Sequence, residues 1–118
     1  MNMALVEISH SQGRVPVTVF HLLERIHLGN FSEMEQLAQK AYEEGTRNLI
    51  IDLSSTDTMT SIGLRVLVVI HKILAKNDSG KHLKVAGATT VMREIMQVTG
   101  ISQFIEVYDT VDEAVASF

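Results

Sequence analysis

Three hydroxyl side chains, those of Thr58, Thr60 and Ser61, stand close together between two apolar stretches of the sequence. The stretch before them, residues 48–53, predicts a buried β-strand, and the stretch after them, residues 62–76, predicts an α-helix. A helix that begins here places Thr60 and Ser61 where the N-cap falls. Helix N-termini favour phosphate and other anions, because they present unpaired N–H groups and a partial positive charge. Ser61 is therefore either an ordinary helix cap or a site of phosphorylation.

The residues around Ser61 do not follow the pattern of an enzyme's nucleophile. A catalytic serine at a strand-to-helix turn usually lies in Gly-x-Ser-x-Gly; here Gly63 follows Ser61, but Met59 stands where the first glycine would be. The five histidines show no spacing typical of metal ligands. We therefore predict no enzyme activity, no metal and no cofactor. Asp52 and Asp57 bracket the loop and are expected either to cap it or to shape the charge near Ser61.

The size and charge of the chain limit the kinds of partner. With 118 residues, the chain is expected to form one domain, residues 1–118. The net charge is −4 and no cluster of basic residues occurs, so we expect no nucleic-acid or anionic membrane partner. The sequence has no cysteine, which is compatible with a reducing cytoplasm. Residues 1–10 lack the basic flank and apolar stretch of a signal peptide, so we predict a cytoplasmic protein.

Alternating apolar runs and turn signals define the predicted elements. Strands are predicted at residues 4–8, 15–23, 48–53, 83–86 and 104–108, and helices at residues 32–44, 62–76, 90–99 and 110–118. Ser32 and Glu35 have the spacing of a capping box for the first helix, and Gly45 ends that helix. This order predicts an α/β layer sandwich with a mixed, mostly parallel β-sheet of about five strands and about four helices.

The helix at residues 62–76 is more apolar than one contact face requires. Its charged side chains Arg65, Lys72 and Lys76 fall on one narrow arc at 100° per residue. The remaining surface is almost entirely apolar. The excess apolar side chains either lie against neighbouring helices or form a surface that another protein covers; they are Ile62, Val66, Val69 and Ile73.

Two parts of the sequence resemble a known family. The first is NLIIDLS at residues 48–54, followed by MTSIGL at residues 59–64; the second is VAGA at residues 85–88, continuing through residues 91–101 to residues 104–114. Together they resemble the STAS domains, in particular the bacterial anti-sigma factor antagonists. Two positions depart from the family pattern. Thr60 stands where the family has a loop aspartate, and His27 takes the acidic place of a turn at residues 24–27.

The resemblance implies a regulatory protein with a STAS-like fold. In the antagonists, the serine that corresponds to Ser61 is phosphorylated by a partner anti-sigma factor that is also a serine protein kinase. The unphosphorylated form binds that partner, and the partner's sigma factor is thereby released. A phosphatase restores the unphosphorylated form. Thr60 is the second choice for the phosphate. The expected partner-binding residues are His27, Asp57, Thr58, Met59, Thr60, Ile62, Gly63, Arg65, Val66 and Val69.

Two other functions are compatible with the same resemblance. The chain could be an interaction subunit of a larger signalling assembly that is not switched by phosphate, or a domain that senses a small ligand in a pocket beside the loop. The sequence leaves open the oligomeric state, the identity of the sigma factor and that of the kinase.

Overall fold

The computed structural model describes residues 4–78 and 80–118. The elements follow one another as β1 (Val6–Gln12), β2 (Pro16–Leu22), α1 (Phe31–Glu43), β3 (Leu49–Asp52), α2 (Ser61–Leu74), β4 (Leu83–Ala86), α3 (Thr90–Val98), a 3₁₀ turn (Ile101–Gln103), β5 (Glu106–Tyr108) and α4 (Val111–Ala116). Within these ranges the chain forms a mixed sheet of five strands with four helices, so the predicted α/β class is confirmed.

The strands lie in the sheet in the order in which they occur in the sequence. β1 and β2 form an antiparallel hairpin, and β2, β3, β4 and β5 are parallel neighbours. Because parallel strands end at the same edge of a sheet, the loops after β2 and β3 lie side by side. All four residues of β3 are buried, which confirms the prediction of a strand covered on both faces.

Alternate residues of β3 enter two separate cores. Leu49 and Ile51 belong to the larger core, which also contains buried residues of α1, α2 and α3. Ile50 points to the other face and belongs to the smaller core with Ala114 of α4. α1 and α2 therefore lie together on one face of the sheet, and the short α4 lies on the other.

Several predicted boundaries differ from the observed ones, and three of them have a clear physical cause. β1 continues beyond residue 8 to Gln12, because it pairs with β2 along its whole length. α1 begins at Phe31, so Ser32 lies inside the helix and does not form the predicted capping box with Glu35; Asn30 precedes the helix. β5 begins at Glu106 rather than at residue 104, because a 3₁₀ turn holds Phe104 beside the ring of His71, 5.0 Å between centroids.

In the described part of the chain, no helix combines the length and the apolar character needed to cross a membrane. Residues 1–3 of the segment 1–10, for which no signal peptide was expected, lie outside the described residues.

Candidate functional site

A single hydroxyl group joins the loops that follow β2 and β3. Thr60 is the N-cap of α2, with an extended backbone (φ −84°, ψ 165°), and its Oγ1 accepts a hydrogen bond of 3.1 Å from the Gly63 amide. The same hydroxyl donates a hydrogen bond of 2.8 Å to the Ile26 carbonyl in the loop after β2. A threonine can make both bonds because a hydroxyl is a donor and an acceptor. Thr60 therefore caps α2 and fixes it to the neighbouring loop.

Ser61 is left without a structural role of this kind. It is the first residue of α2 and is exposed. Its hydroxyl makes no hydrogen bond to any residue at positions 4–78 or 80–118. The interpretation of Ser61 as the ordinary helix cap is therefore wrong, because Thr60 occupies the N-cap. Ser61 presents its hydroxyl to the solvent at the positive end of a helix of 14 residues.

The start of α2 packs closely because residue 63 is a glycine. Gly63 is buried, and a Cβ at this position would meet the sulfur of Met59 and would lie 3.6 Å from the Ile26 Cβ. Met59 therefore covers the first turn of the helix, and Ile26 packs beneath it.

The base of the loop is held by the last residue of β3. Asp52 accepts hydrogen bonds from the Ser54 amide, at 3.0 Å, and from His21 Nδ1, at 2.7 Å. Burial by itself would raise the pKa of Asp52, but the hydrogen bonds from His21 and Ser54 outweigh it and hold the pKa below its usual value. Asp52 thus caps the loop, whereas Asp57 is exposed further along it.

The loop after β2 is held by a buried asparagine. Asn30 accepts a hydrogen bond of 2.8 Å from the His27 amide and donates one of 3.0 Å to the Arg25 carbonyl. The His27 ring accepts at Nδ1 from the Gly29 amide, at 2.9 Å, so its Nε2 carries the hydrogen and points to Glu24, 3.3 Å away. His27 is therefore held in position one residue from Ile26, the residue that Thr60 contacts.

The residues expected to bind a partner differ in accessibility. Asp57, Thr58, Ser61 and Arg65 are exposed, whereas His27, Met59, Thr60, Ile62 and Val69 are half-buried. Gly63 and Val66 are buried. Val66 belongs to the larger core, so its side chain is not available to a partner in this structure, and its place in the expected surface is corrected.

Neighbouring elements cover most of the excess apolar surface of α2. Ile62 and Ile73 pack against the larger core, and only Val69 remains as a half-exposed apolar side chain outside it. The arc of Arg65, Lys72 and Lys76 is exposed along its whole length, as the spacing predicted.

Two exposed leucines in the loop after β2 were not predicted as part of the site. Leu23 is 40% exposed and Leu28 is 77% exposed, and they flank the Ile26 carbonyl to which Thr60 donates. The signal in the sequence was a large apolar residue, Leu28, placed directly before the loop glycine Gly29.

Other potential ligand sites are not next to Ser61. A hollow of about 510 Å³ lies at the opposite edge of the sheet and is lined by residues 10–12, 16–18 and 44–48. Among the described residues, no three His, Cys, Asp or Glu side chains are grouped as metal ligands. The site at α2 consists of the Ser61 hydroxyl, which makes no hydrogen bond to the described residues, the N-terminus of the helix and a partly apolar surface.

Comparisons with known proteins agree on one family. A sequence profile described as the STAS domain matches residues 9–114. The anti-sigma-B factor antagonist of Staphylococcus aureus strain NCTC 8325 is 28% identical over 75 residues, which cover 64% of this chain and 68% of that protein. An anti-sigma factor antagonist from Mycobacterium paratuberculosis has a TM-score of 0.79 at 23% identity, covering 95% of this chain and 91% of that one. The Bacillus cell fate determinant SpoIIAA in its phosphorylated form has a TM-score of 0.69 at 14% identity, covering 95% and 97%.

Proposed function

This chain belongs to the STAS domain family, and from that premise we propose that it is an anti-sigma factor antagonist that phosphorylation of Ser61 switches off. Its partner is an anti-sigma factor that is also a serine protein kinase, and a phosphatase reverses the modification. The observation that carries the proposal is the division of roles at the start of α2. Thr60 caps the helix, and Ser61 is exposed beside it with a hydroxyl that makes no hydrogen bond to the described residues.

The fold can accept a phosphate at Ser61 without rearranging. A phosphate adds roughly −1.5 to −2 charges and three acceptor oxygens. At the first position of α2, these oxygens lie near the N–H groups and partial positive charge of the helix N-terminus. The exposed Arg65 follows one helical turn later, at the spacing that lets charged side chains interact.

A partner that covers Ser61 would lose affinity when the phosphate is added. The half-exposed Val69 lies on α2 about two helical turns after Ser61, and the exposed Leu28 lies in the loop that Thr60 joins to the start of α2. A complex formed over such a surface removes Ser61 from water. A phosphate in that interface loses its hydration and the partner supplies no new positive charge for it in this proposal, so the cost of desolvation weakens the complex.

Ser61 is a better phosphate acceptor than Thr60 in this structure. The Thr60 hydroxyl is occupied by its bonds to Gly63 and Ile26. Phosphorylation of Thr60 removes the hydrogen that it donates to Ile26 and requires the cap to open. Phosphorylation of Ser61 breaks no hydrogen bond of the described chain. The existence of SpoIIAA in a phosphorylated form supports such chemistry on this fold.

The two departures from the family pattern change charge rather than architecture. Thr60 caps α2 and also donates the bond to Ile26, which a carboxylate at this position cannot donate. His27 replaces an acidic residue within the ordered loop after β2. The surface near Ser61 therefore has fewer negative charges than the family pattern, and we infer that the partner kinase is selected accordingly.

Mass spectrometry of the protein from its own cells is the direct test. We expect one phosphate, on Ser61 itself, located by fragmentation of the peptide that contains both Thr60 and Ser61. Phosphate only on Thr60 would keep the switch but move its site. An unmodified loop in both growing and stressed cells would refute the switch and favour the unswitched interaction subunit.

A pair of matched variants tests the effect on binding. Ser61→Asp places a negative charge at the first position of α2, and Thr90→Asp places the same charge at the first position of α3, where Thr89 caps the helix. We expect Ser61→Asp to weaken binding to the anti-sigma factor encoded near this protein's gene, and Thr90→Asp to leave it unchanged. If both variants weakened binding equally, the negative charge would act independently of its position, and the role of Ser61 would be refuted.

A further inference from the structure

A serine, a histidine and an aspartate from three neighbouring strands form a continuous chain of hydrogen bonds. Ser9 Oγ of β1 lies 2.8 Å from His21 Nε2 of β2, and His21 Nδ1 lies 2.7 Å from Asp52 Oδ2 of β3. The register explains the alignment: His21 lies opposite Asp52, and Ser9 lies opposite Val19, whose side chain belongs to the smaller core. All three side chains therefore lie on the sheet face that carries α4, away from Ser61 on α2.

The direction of the hydrogen bonds follows from the charge of Asp52. An ionised carboxylate only accepts hydrogen bonds, so His21 Nδ1 carries the hydrogen that points to Asp52. In the neutral imidazole, Nε2 then has only a lone pair, so Ser9 must donate its hydroxyl hydrogen to it. The histidine is thus held in the tautomer and orientation in which it takes a proton from the serine.

The three side chains become more exposed to solvent from Asp52 through His21 to Ser9. The side chain of Asp52 is 12% exposed and that of His21 is 31% exposed, while Ser9 is exposed. α4 packs mainly on β3, β4 and β5, which leaves the face above β1 open. β1 is also an edge strand of the sheet. Only alternate residues of β1 direct their backbone groups to β2, and the residues between them, Ile8 and His10, direct their amides away from β2. The backbone N–H and C=O groups of both residues therefore face the solvent on either side of Ser9.

We propose that Ser9 is an activated nucleophile that takes an acyl group from small, reactive esters. Ser9 Oγ forms a bond to the ester carbonyl carbon while its proton passes to His21 Nε2. The bond from that carbon to the leaving oxygen then breaks, and the leaving group departs with the proton from His21. The products are O-acylated Ser9 and a free alcohol or phenol. Water can remove the acyl group by the same route, giving a carboxylic acid and restoring the serine.

The open face determines the class of acyl donor. The site is not enclosed, so it offers little binding energy to hold a large substrate, and the ester has to be intrinsically reactive. The proposed reactivity does not depend on partner binding or on the phosphorylation of Ser61.

A fluorophosphonate probe tests whether Ser9 is activated. The probe forms a bond between Ser9 Oγ and phosphorus and releases fluoride, which leaves an adduct that peptide mass spectrometry locates. The matched control is Ser11→Ala: Ser11 is two residues further along the same face of β1, and its hydroxyl makes no hydrogen bond in the described part of the chain. We expect wild type and Ser11→Ala to be labelled at Ser9 at the same rate, and Ser9→Ala to lose the label.

Replacement of the base distinguishes activation from simple exposure. We expect His21→Gln to lower the rate of Ser9 labelling by roughly 10²-fold or more, the usual contribution of a general base. Circular dichroism would confirm that the variant is folded. Labelling of Ser9 that is no faster than that of other exposed serines, or that is unchanged in folded His21→Gln, would overturn the proposal.

The pH profile tests the positioning role of Asp52, with p-nitrophenyl acetate as the ester and the acetyl group on Ser9 located after an acid quench. The charged groups that face His21 from its neighbouring strands are Glu7 and Asp52. In wild type, Asp52 holds His21 in the tautomer that takes the proton from Ser9. In Asp52→Asn, His21 loses this orientation, so the rate of acetylation should be lower at neutral pH and should depend more steeply on hydroxide concentration. Profiles of the same shape would refute this role for Asp52.

Discussion

Substitution of Thr60 tests whether one hydroxyl group carries both the cap of α2 and the link to the neighbouring loop. Thr60→Val keeps the shape of the side chain and removes both hydrogen bonds. The lost N-cap costs about 1 kcal/mol. The lost hydrogen bond to the partly buried Ile26 carbonyl costs about 1 kcal/mol more. We therefore expect Thr60→Val to lower the free energy of unfolding by about 2 kcal/mol, measured by denaturant unfolding with an unchanged m-value.

The N-cap of α3 provides a control for this prediction. Thr89 accepts a hydrogen bond of 3.2 Å from the Met92 amide, but its hydroxyl donates to no residue within the described ranges. Thr89→Val should therefore lose only the cap, about 1 kcal/mol. Equal losses for Thr60→Val and Thr89→Val would refute the role of the bond to Ile26.

Serine and aspartate at position 60 separate the two hydrogen bonds. Thr60→Ser keeps both bonds and should remain close to wild type in stability. Thr60→Asp, which restores the family's residue, keeps the cap but places a carboxylate against the Ile26 carbonyl. We expect Thr60→Asp to lie between Thr60→Ser and Thr60→Val. A Thr60→Asp variant that is more stable than wild type would contradict our account of this position.

Three further predictions concern packing, backbone conformation and pH. Leu67→Ala removes a fully buried side chain and should lower the free energy of unfolding by roughly 2–5 kcal/mol; the half-exposed Val69→Ala should lose much less but weaken partner binding, and equal losses in denaturant unfolding would mean that Val69 is not surface. Gly87 and Gly100 have φ of 73° and 82°, but only at Gly87 would a Cβ lie 2.9 Å from another side-chain carbon; Gly87→Ala should therefore be less stable than Gly100→Ala by roughly 1–3 kcal/mol in the same assay. Because the folded-state pKa of Asp52 is lowered, its stabilisation is complete above the usual value of 3.8 and is lost as the pH falls through the folded-state pKa; the difference in unfolding free energy between wild type and Asp52→Asn should shrink on acidification, and a constant difference would contradict this.

Local sequence signals were sufficient to predict an element where its bounds depend only on residues within it or next to it. The run 83–86 was predicted as a strand and is β4, a stretch of four buried residues that lies between turn residues. The helix predicted at residues 110–118 is α4, and Thr110 caps it by accepting a hydrogen bond from the Glu113 amide. The predicted box at Ser32 failed because the preceding Asn30 is used by the loop after β2, and α1 already begins at Phe31.

Contacts between distant parts of the chain could not be predicted from the sequence. The bond from Thr60 to Ile26 joins residues 34 positions apart, and it depends on the parallel order of β2 and β3. The alignment of Ser9, His21 and Asp52 likewise depends on the register of three strands. A shift of one residue in any of these pairings would turn a side chain to the opposite face of the sheet.

The separation of the cap from the exposed serine has a consequence for the lifetime of the protein in the cell. Proteases degrade a folded domain mainly through its unfolded population, and that population depends on the free energy of unfolding. Stability at the start of α2 depends on Thr60, whereas Ser61 contributes no hydrogen bond to it within the described chain. A phosphate on Ser61 breaks none of the bonds that hold this region, so modified copies should be degraded no faster than unmodified ones. Under the proposed switch, the signal would change the ratio of the two forms without lowering the total abundance of the protein.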